Sequence, residues 1–100
     1  MNMRHNSRLV AIVDDDESVQ RSLQDLIESD GLTALCFGSA EQFLESHARN
    51  KAACLTADIR MPGMSGLDLQ ARLKAERCRI VVIFIFPGRH IIASTMMKLK

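Results

Sequence analysis

The sequence lacks the features that would place it in a membrane, in a secreted disulfide scaffold or around zinc. No apolar run approaches the ~20 residues that a membrane-spanning helix needs. The polar start, residues 1–8, precedes only a five-residue apolar run, so the hydrophobic region of a signal peptide is missing. The cysteines Cys36, Cys54 and Cys78 are odd in number and form no CxxC pair, which favours buried thiols. We therefore expect a cytoplasmic protein with no membrane partner.

An excess of charge of either sign is also absent. The formal net charge is +1 and the basic residues are scattered, so the composition gives no reason for direct binding to nucleic acid. The 100 residues contain no repeat and no linker, and 47% of them are hydrophobic. These values indicate one small globular domain rather than a disordered chain.

Short apolar runs alternate with segments of helical character. The runs, which we predict to be strands, are Leu9 to Val13, Leu32 to Phe37, Cys54 to Ala57 and Ile80 to Phe86. A first helix is predicted from about Ser18. The capping-box pair Ser39/Gln42 begins a second helix that runs to about Ala48, and the pair Ser65/Asp68 begins a third. The order βαβαβαβ predicts an α/β fold of three layers, in which helices cover both faces of a parallel sheet.

Helical spacing also predicts which side chains face the core. They are Val19, Leu23, Leu26 and Ile27 in the first helix, Phe43 and Leu44 in the second, and Leu67, Leu69 and Leu73 in the third.

Carboxylates follow two of the predicted strands. Asp14 and Asp15 end the first run and Asp58 ends the third, and open α/β sheets bind ligands at the carboxyl ends of their strands. Carboxylates ~4 Å apart repel by roughly 4 kcal/mol per pair at an effective dielectric near 20, so such a group needs a cation. Hard oxygen ligands suit Mg²⁺. Alternatively, the acids only complement the dipole of a following helix, but Asp58 at a second strand end favours the site.

The segments VDDDESV and DIRMPGMSGLDL, with the order of elements, resemble the receiver domain of bacterial two-component response regulators, particularly receivers that precede a helix-turn-helix domain. The match runs from about Leu9 to Ile85. It implies a flavodoxin-like fold and a signalling role rather than a conventional enzyme, with Asp58 accepting a phosphoryl group from a sensor histidine kinase. It also implies Mg²⁺ bound by Asp14, Asp15, Asp58 and the backbone carbonyl of Arg60. Asp16 is an extra acid beyond the family's pair.

The turn after Asp58 belongs to the same motif. Met61 and Pro62 are expected to fix the loop that presents the Arg60 carbonyl. Gly63 and Gly66 are expected to supply the backbone conformations that this loop needs.

The sequence departs from the family pattern after Ile85. Phe86 stands where the family has a Thr or Ser that binds the phosphoryl group, and no fifth strand with its Lys follows before Lys100. We expect residues 9–86 to form a receiver core without the fifth strand and fifth helix, after a polar arm at 1–8. The tail 87–100 is expected to be divergent, as in a C-terminally truncated receiver, with a partial fourth helix. The strand that ends at Phe86 would then be an apolar edge.

Three functions remain open at this point. The first is a phosphoacceptor whose switching is impaired by Phe86 and the missing Lys. The second is a degenerate receiver that is not phosphorylated and acts as an interaction module, through a homodimer or a strand-mediated oligomer. The third is a phosphatase with an aspartyl nucleophile, which ranks last because Arg60 occupies the place of the required second acid.

Overall fold

The computed structural model describes residues 8–85 and the backbone of a further short strand at 91–93. The elements in chain order are β1 Leu9–Val13, α1 Glu17–Ser29, β2 Thr33–Phe37, α2 Ala40–Glu45, a 3₁₀ turn at His47–Asn50, β3 Cys54–Asp58, α3 Gly66–Ala75, β4 Val81–Ile85 and β5 Ile91–Ala93. The alternation predicted from the sequence is confirmed as far as β4. Within the described ranges, no helix has the length and apolar character needed to cross a membrane.

The strands form one sheet in the order β2-β1-β3-β4-β5. β1 to β4 are parallel, whereas β5 runs antiparallel to β4. Val13 of β1 pairs with Ala57 of β3. The next residue of each chain segment, Asp14 and Asp58, therefore lies at the same edge of the sheet. The sheet thus delivers the two acidic segments to the same edge.

The main core lies between the sheet and helices α2 and α3. Alternate residues of β1 and β3 point to it, and they pack with Phe43 of α2 and with Leu69 and Leu73 of α3. α1 covers the opposite face, where the Cys36 Sγ contacts the carbonyl oxygen of Gln20 at 3.9 Å. Helices on both faces confirm the predicted three-layer α/β fold.

Several predicted details of the helices and thiols are wrong. Leu26 is 59% exposed and Leu67 is 53% exposed. Leu67 lies beside the buried residues of α3, whereas α1 has no buried residue and its Val19, Leu23 and Ile27 are only half-buried. α2 ends at Glu45, since the Ser46 hydroxyl accepts a hydrogen bond from the Ala48 N–H and begins a separate 3₁₀ turn. The three cysteines are free, but they are half-buried rather than buried.

The tail differs from its prediction where it is described. Ile91–Ala93 form a strand in place of a helix, with Ile91 opposite Ile85 and Ala93 opposite Ile83. β-branched residues favour extended backbone, and the unpaired edge of β4 offers hydrogen bonds to such a segment. β4 is therefore paired on both sides instead of forming the edge. No parallel fifth strand occurs within residues 8–85 and 91–93, while Phe86 and the other tail residues lie outside them.

Candidate functional site

Three carboxylates converge where β1 and β3 end. Each of Asp14, Asp15 and Asp58 offers an oxygen, and these oxygens all lie within 4.8 Å of one another. Asp58 is the last residue of β3, and the two other acids follow β1 directly. The structure therefore brings together the acids that the sequence places 44 positions apart.

Asp14 is the buried member of the group, with 2% of its surface exposed. Its Oδ1 accepts a hydrogen bond of 2.9 Å from the Asp16 N–H. Burial raises the pKa of Asp14 to about 6, and the charges of Asp58 and Asp15 act in the same direction. A carboxyl group in this environment therefore keeps its proton to a higher pH than a free carboxyl group does.

Asp58 is half-buried and its carboxylate is held by the loop that follows. The Arg60 N–H donates to its Oδ1 at 3.1 Å, which leaves the second oxygen, Oδ2, as the candidate nucleophile. Burial raises the pKa of Asp58, and the charge of Asp15 adds to this, whereas the Arg60 N–H opposes it. Asp15 is exposed, so the group is open to solvent on its side.

Asp16, the extra acid, does not join the group. It is the N-cap of α1, and its Oδ1 accepts from the Ser18 N–H at 2.9 Å and from the Ser18 hydroxyl at 2.7 Å. These hydrogen bonds lower the pKa of Asp16. The interpretation as a helix-terminal acid thus holds for Asp16.

The loop from β3 to α3 needs its two glycines for different reasons. Gly63 has φ +79°, the left-handed conformation expected of it. Gly66 has no positive φ, so the predicted reason is wrong there: a Cβ on Gly66 would lie 2.4 Å from the Asp58 carbonyl oxygen. Gly66 is required because the start of α3 packs directly against the backbone of the acidic residue.

Two side chains at the site were not predicted from the sequence. The Gln20 Nε2 donates to the Asp14 carbonyl at 2.6 Å, and so joins α1 to the end of β1. The Glu41 Oε2 accepts from the Met64 N–H at 3.3 Å and joins α2 to the loop after β3. Both side chains bond to backbone atoms. Every residue type carries the same backbone groups, so no pair of residue types in the sequence predicts these contacts.

The donor set fits a hard divalent cation. It consists of carboxylate oxygens only, which lie within 4.8 Å of one another, and hard oxygen ligands of this kind suit Mg²⁺. The Arg60 carbonyl belongs to the same loop, two residues beyond Asp58.

Comparisons with known proteins agree with this geometry. The profile of the response regulator receiver domain matches residues 10–95. The chain is 43% identical over 83 residues to the response regulator protein TodT of Pseudomonas putida, covering 83% of this chain and 37% of that protein. It is 41% identical to nodulation protein W of Bradyrhizobium diazoefficiens, covering 92% of this chain and 40% of that protein.

Solved structures of receivers share the fold. The structure of response regulator StyR superposes with a TM-score of 0.75 at 39% identity, over 87% of this chain and 44% of that one. The crystal structure of FixJ-N gives a TM-score of 0.71 at 33% identity, over 85% of this chain and 66% of that one. The chain spans about two fifths of the length of the curated relatives that it matches.

Proposed function

The chain belongs to the response regulator receiver domain family, and from that premise we propose that Asp58 accepts a phosphoryl group from a sensor histidine kinase. Mg²⁺ is held by Asp14, Asp15, Asp58 and the backbone carbonyl of Arg60. The observation that carries the proposal is the convergence of three carboxylates within 4.8 Å at the edge where β1 and β3 end.

The chemistry assigned to Asp58 is nucleophilic substitution at phosphorus. A carboxylate oxygen of Asp58 forms the new O–P bond while the N–P bond of the phosphohistidine breaks, and the departing imidazole nitrogen keeps the electron pair of that bond. The Arg60 N–H supports this step because it fixes the rotation of the carboxylate through Oδ1. Bound Mg²⁺ would neutralise charge on the phosphoryl oxygens and on the acids.

The test is intact-protein mass after incubation with Mg²⁺ and a small acyl phosphate. We expect one phosphoryl adduct on the wild-type chain, lost in Asp58→Ala and lost when the metal is chelated. Asp25→Ala is the matched control, because it removes an exposed aspartate of α1 outside the site and should leave the adduct unchanged.

Absence of an adduct on folded wild-type protein would overturn the proposal. We would then favour the alternative function, in which the chain is a degenerate receiver that acts only as an interaction or dimerisation module. Phe86 is the sequence feature that favours this alternative, since a phenyl ring cannot donate the hydrogen bond of a Thr or Ser hydroxyl. Even with an adduct, we expect Phe86 to impair switching.

A further inference from the structure

A side chain from α2 holds the loop between β3 and α3. Glu41 lies in the first turn of α2, and its Oε2 accepts a hydrogen bond from the Met64 N–H at 3.3 Å. The two residues are 23 positions apart, so the contact ties together segments that are separate in the sequence.

A second observation places the same carboxylate against the preceding residue. A Cβ built on Gly63 would lie 3.2 Å from the Glu41 Oε2, which is tighter than ordinary van der Waals contact. The Glu41 carboxylate therefore lies close to the backbone of both Gly63 and Met64. The lack of a side chain at Gly63 permits this approach.

The loop is also held by backbone hydrogen bonds at its two ends and by side chains that pack against the core. The Arg60 N–H bonds to the Asp58 side chain at the start, and the Gly66 N–H donates to the Ile59 carbonyl at 3.2 Å. Met61 is buried in the core at 8% exposure, whereas Pro62 and Gly63 are exposed. Met64 is partly buried against the core, so Glu41 adds a hydrogen bond to the backbone of a turn whose exposed part is Pro62 and Gly63.

We infer that Glu41 is a positioning residue for the Arg60 carbonyl. It fixes the turn at residues 63–64, and through the short Met61–Pro62 connection it limits the orientations available to the peptide that carries that carbonyl. Glu41 acts through backbone atoms and touches neither metal nor phosphoryl group. The inference deepens the proposed function and rests on it in one respect, the role of the Arg60 carbonyl as a ligand.

Three variants separate this role from a general effect of charge or stability. Glu41→Ala removes the hydrogen-bond acceptor. Glu41→Gln removes the charge but keeps a carbonyl oxygen at the same reach, so it should preserve the hydrogen bond. Glu45→Ala removes an exposed carboxylate from the other end of the same helix and is the matched control.

The measurements are the Mg²⁺ dissociation constant by calorimetric titration and the hydrogen-exchange rate of the Met64 amide by NMR. We expect Glu41→Ala to weaken Mg²⁺ binding about threefold to tenfold, as the loss of one ordinary hydrogen bond implies, and to speed exchange at Met64. Glu41→Gln should restore both values to within about twofold of wild type, and Glu45→Ala should change neither.

Each result bears on one of the two proposals. If the wild-type chain binds Mg²⁺ and folded Glu41→Ala binds it equally well, the positioning role is wrong while the proposed function stands. If the wild-type chain binds no Mg²⁺, the proposed metal site falls, and unchanged exchange at Met64 in Glu41→Ala would reject the loop-holding role as well. A loss that Glu41→Gln and Glu45→Ala share with Glu41→Ala would show an effect of charge alone.

Discussion

At the scale of single residues, Asp14 is where burial and charge are in conflict. Its side chain is almost fully covered, yet its nearest ionisable neighbours are further acids. The Asp16 N–H compensates only part of this cost, so the pKa stays raised to about 6. A group of this kind holds a proton more strongly than a free carboxylate does, and a nearby cation would favour its charged form.

This conflict predicts an unusual pH dependence for the metal-free protein. The folded state keeps the Asp14 proton up to about pH 6, whereas the unfolded chain releases it near 3.8, so the folded state binds more protons between these values. The free energy of unfolding should therefore fall as pH rises from about 4 to 6, by up to about 3 kcal/mol. Asp58 adds to the fall, because its pKa is raised too.

Asp14→Asn is the variant that checks this dependence. The amide keeps an oxygen acceptor for the Asp16 N–H, so the variant should be more stable than wild type near pH 7 and lose most of the slope. Denaturant unfolding followed by circular dichroism at several pH values, in chelator, measures both. A dependence on pH in Asp14→Asn identical to that of wild type would contradict the assigned burial of Asp14.

Gly66 gives a second prediction at this scale. The Cβ of Gly66→Ala would approach the carbonyl oxygen of Asp58 to 2.4 Å, and backbone atoms cannot move aside as a flexible side chain can. We expect a destabilisation of about 2 kcal/mol, typical of an overpacked contact, together with weaker Mg²⁺ binding.

Gly38→Ala is the matched control for Gly66→Ala. Its Cβ would lie 3.7 Å from the flexible end of Gln42, at ordinary contact distance, and Gly38 has no positive φ. The control should therefore be neutral or slightly stabilising, because alanine reduces the freedom of the unfolded chain. Equal denaturation midpoints for the two variants would refute the role given to Gly66.

At the scale of elements, α3 begins with a complete capping box next to the loop of the site. The Ser65 hydroxyl accepts from the Asp68 N–H at 3.1 Å, and the Asp68 carboxylate accepts from the Ser65 N–H at 3.2 Å. We expect Ser65→Ala to lower the free energy of unfolding by about 1 kcal/mol, since the helix then loses a hydrogen-bond acceptor at its first turn.

The same substitution inside a helix should have the opposite sign. Ser22 lies exposed in the middle of α1, where alanine is the better helix former, so Ser22→Ala should stabilise by a few tenths of a kcal/mol. Denaturation midpoints of the two variants compare the effects directly. A Ser65→Ala protein as stable as Ser22→Ala would mean that the box does not hold α3.

The elements also show how far the sequence alone could predict the fold. The first four strands were predictable because buried parallel strands are continuous apolar runs, as Leu9–Val13 is, and because an acid, a glycine or a Pro-Gly pair follows each run. The exposure of Leu67 could not be predicted, since the spacing of apolar residues does not distinguish the edge of a buried helix face from the position next to it. Ile91–Ala93 form a strand that pairs with β4. This could not be predicted from the segment alone, because strand formation depends on the partner strand with which it pairs.

The candidate site divides in the same way. Asp14, Asp15 and Asp58 were predictable as a group because strand ends collect at one edge of a parallel sheet. Gln20, Glu41 and the packing of Gly66 were not, because each depends on where a backbone atom lies after folding. Asp16 could have been assigned as an N-cap from Ser18 and the helical periodicity behind it.

At the scale of the whole molecule, the proposed metal binding would be coupled to folding. The acids come from two segments that only the folded sheet brings together, so the unfolded chain has no comparable site. We predict that Mg²⁺ at ten times its dissociation constant raises the free energy of unfolding by about 1.4 kcal/mol.

Denaturation with and without Mg²⁺ measures this increase in stability. Asp58→Ala should abolish it, whereas Asp25→Ala should keep it, because Asp25 is an exposed acid on α1. Stabilisation by Mg²⁺ that persists in Asp58→Ala would place the ion elsewhere.

The pairing of β1 with β3 also affects the rate at which the metal site forms during folding. β1 is flanked by β2 and β3, so it lies in the interior of the sheet. The loop that closes when β1 meets β3 contains more than forty residues, and closing such a loop precedes any gain from the contacts it makes. Competence to bind Mg²⁺ should therefore appear at the rate of this single docking event, and not with the earlier formation of α1.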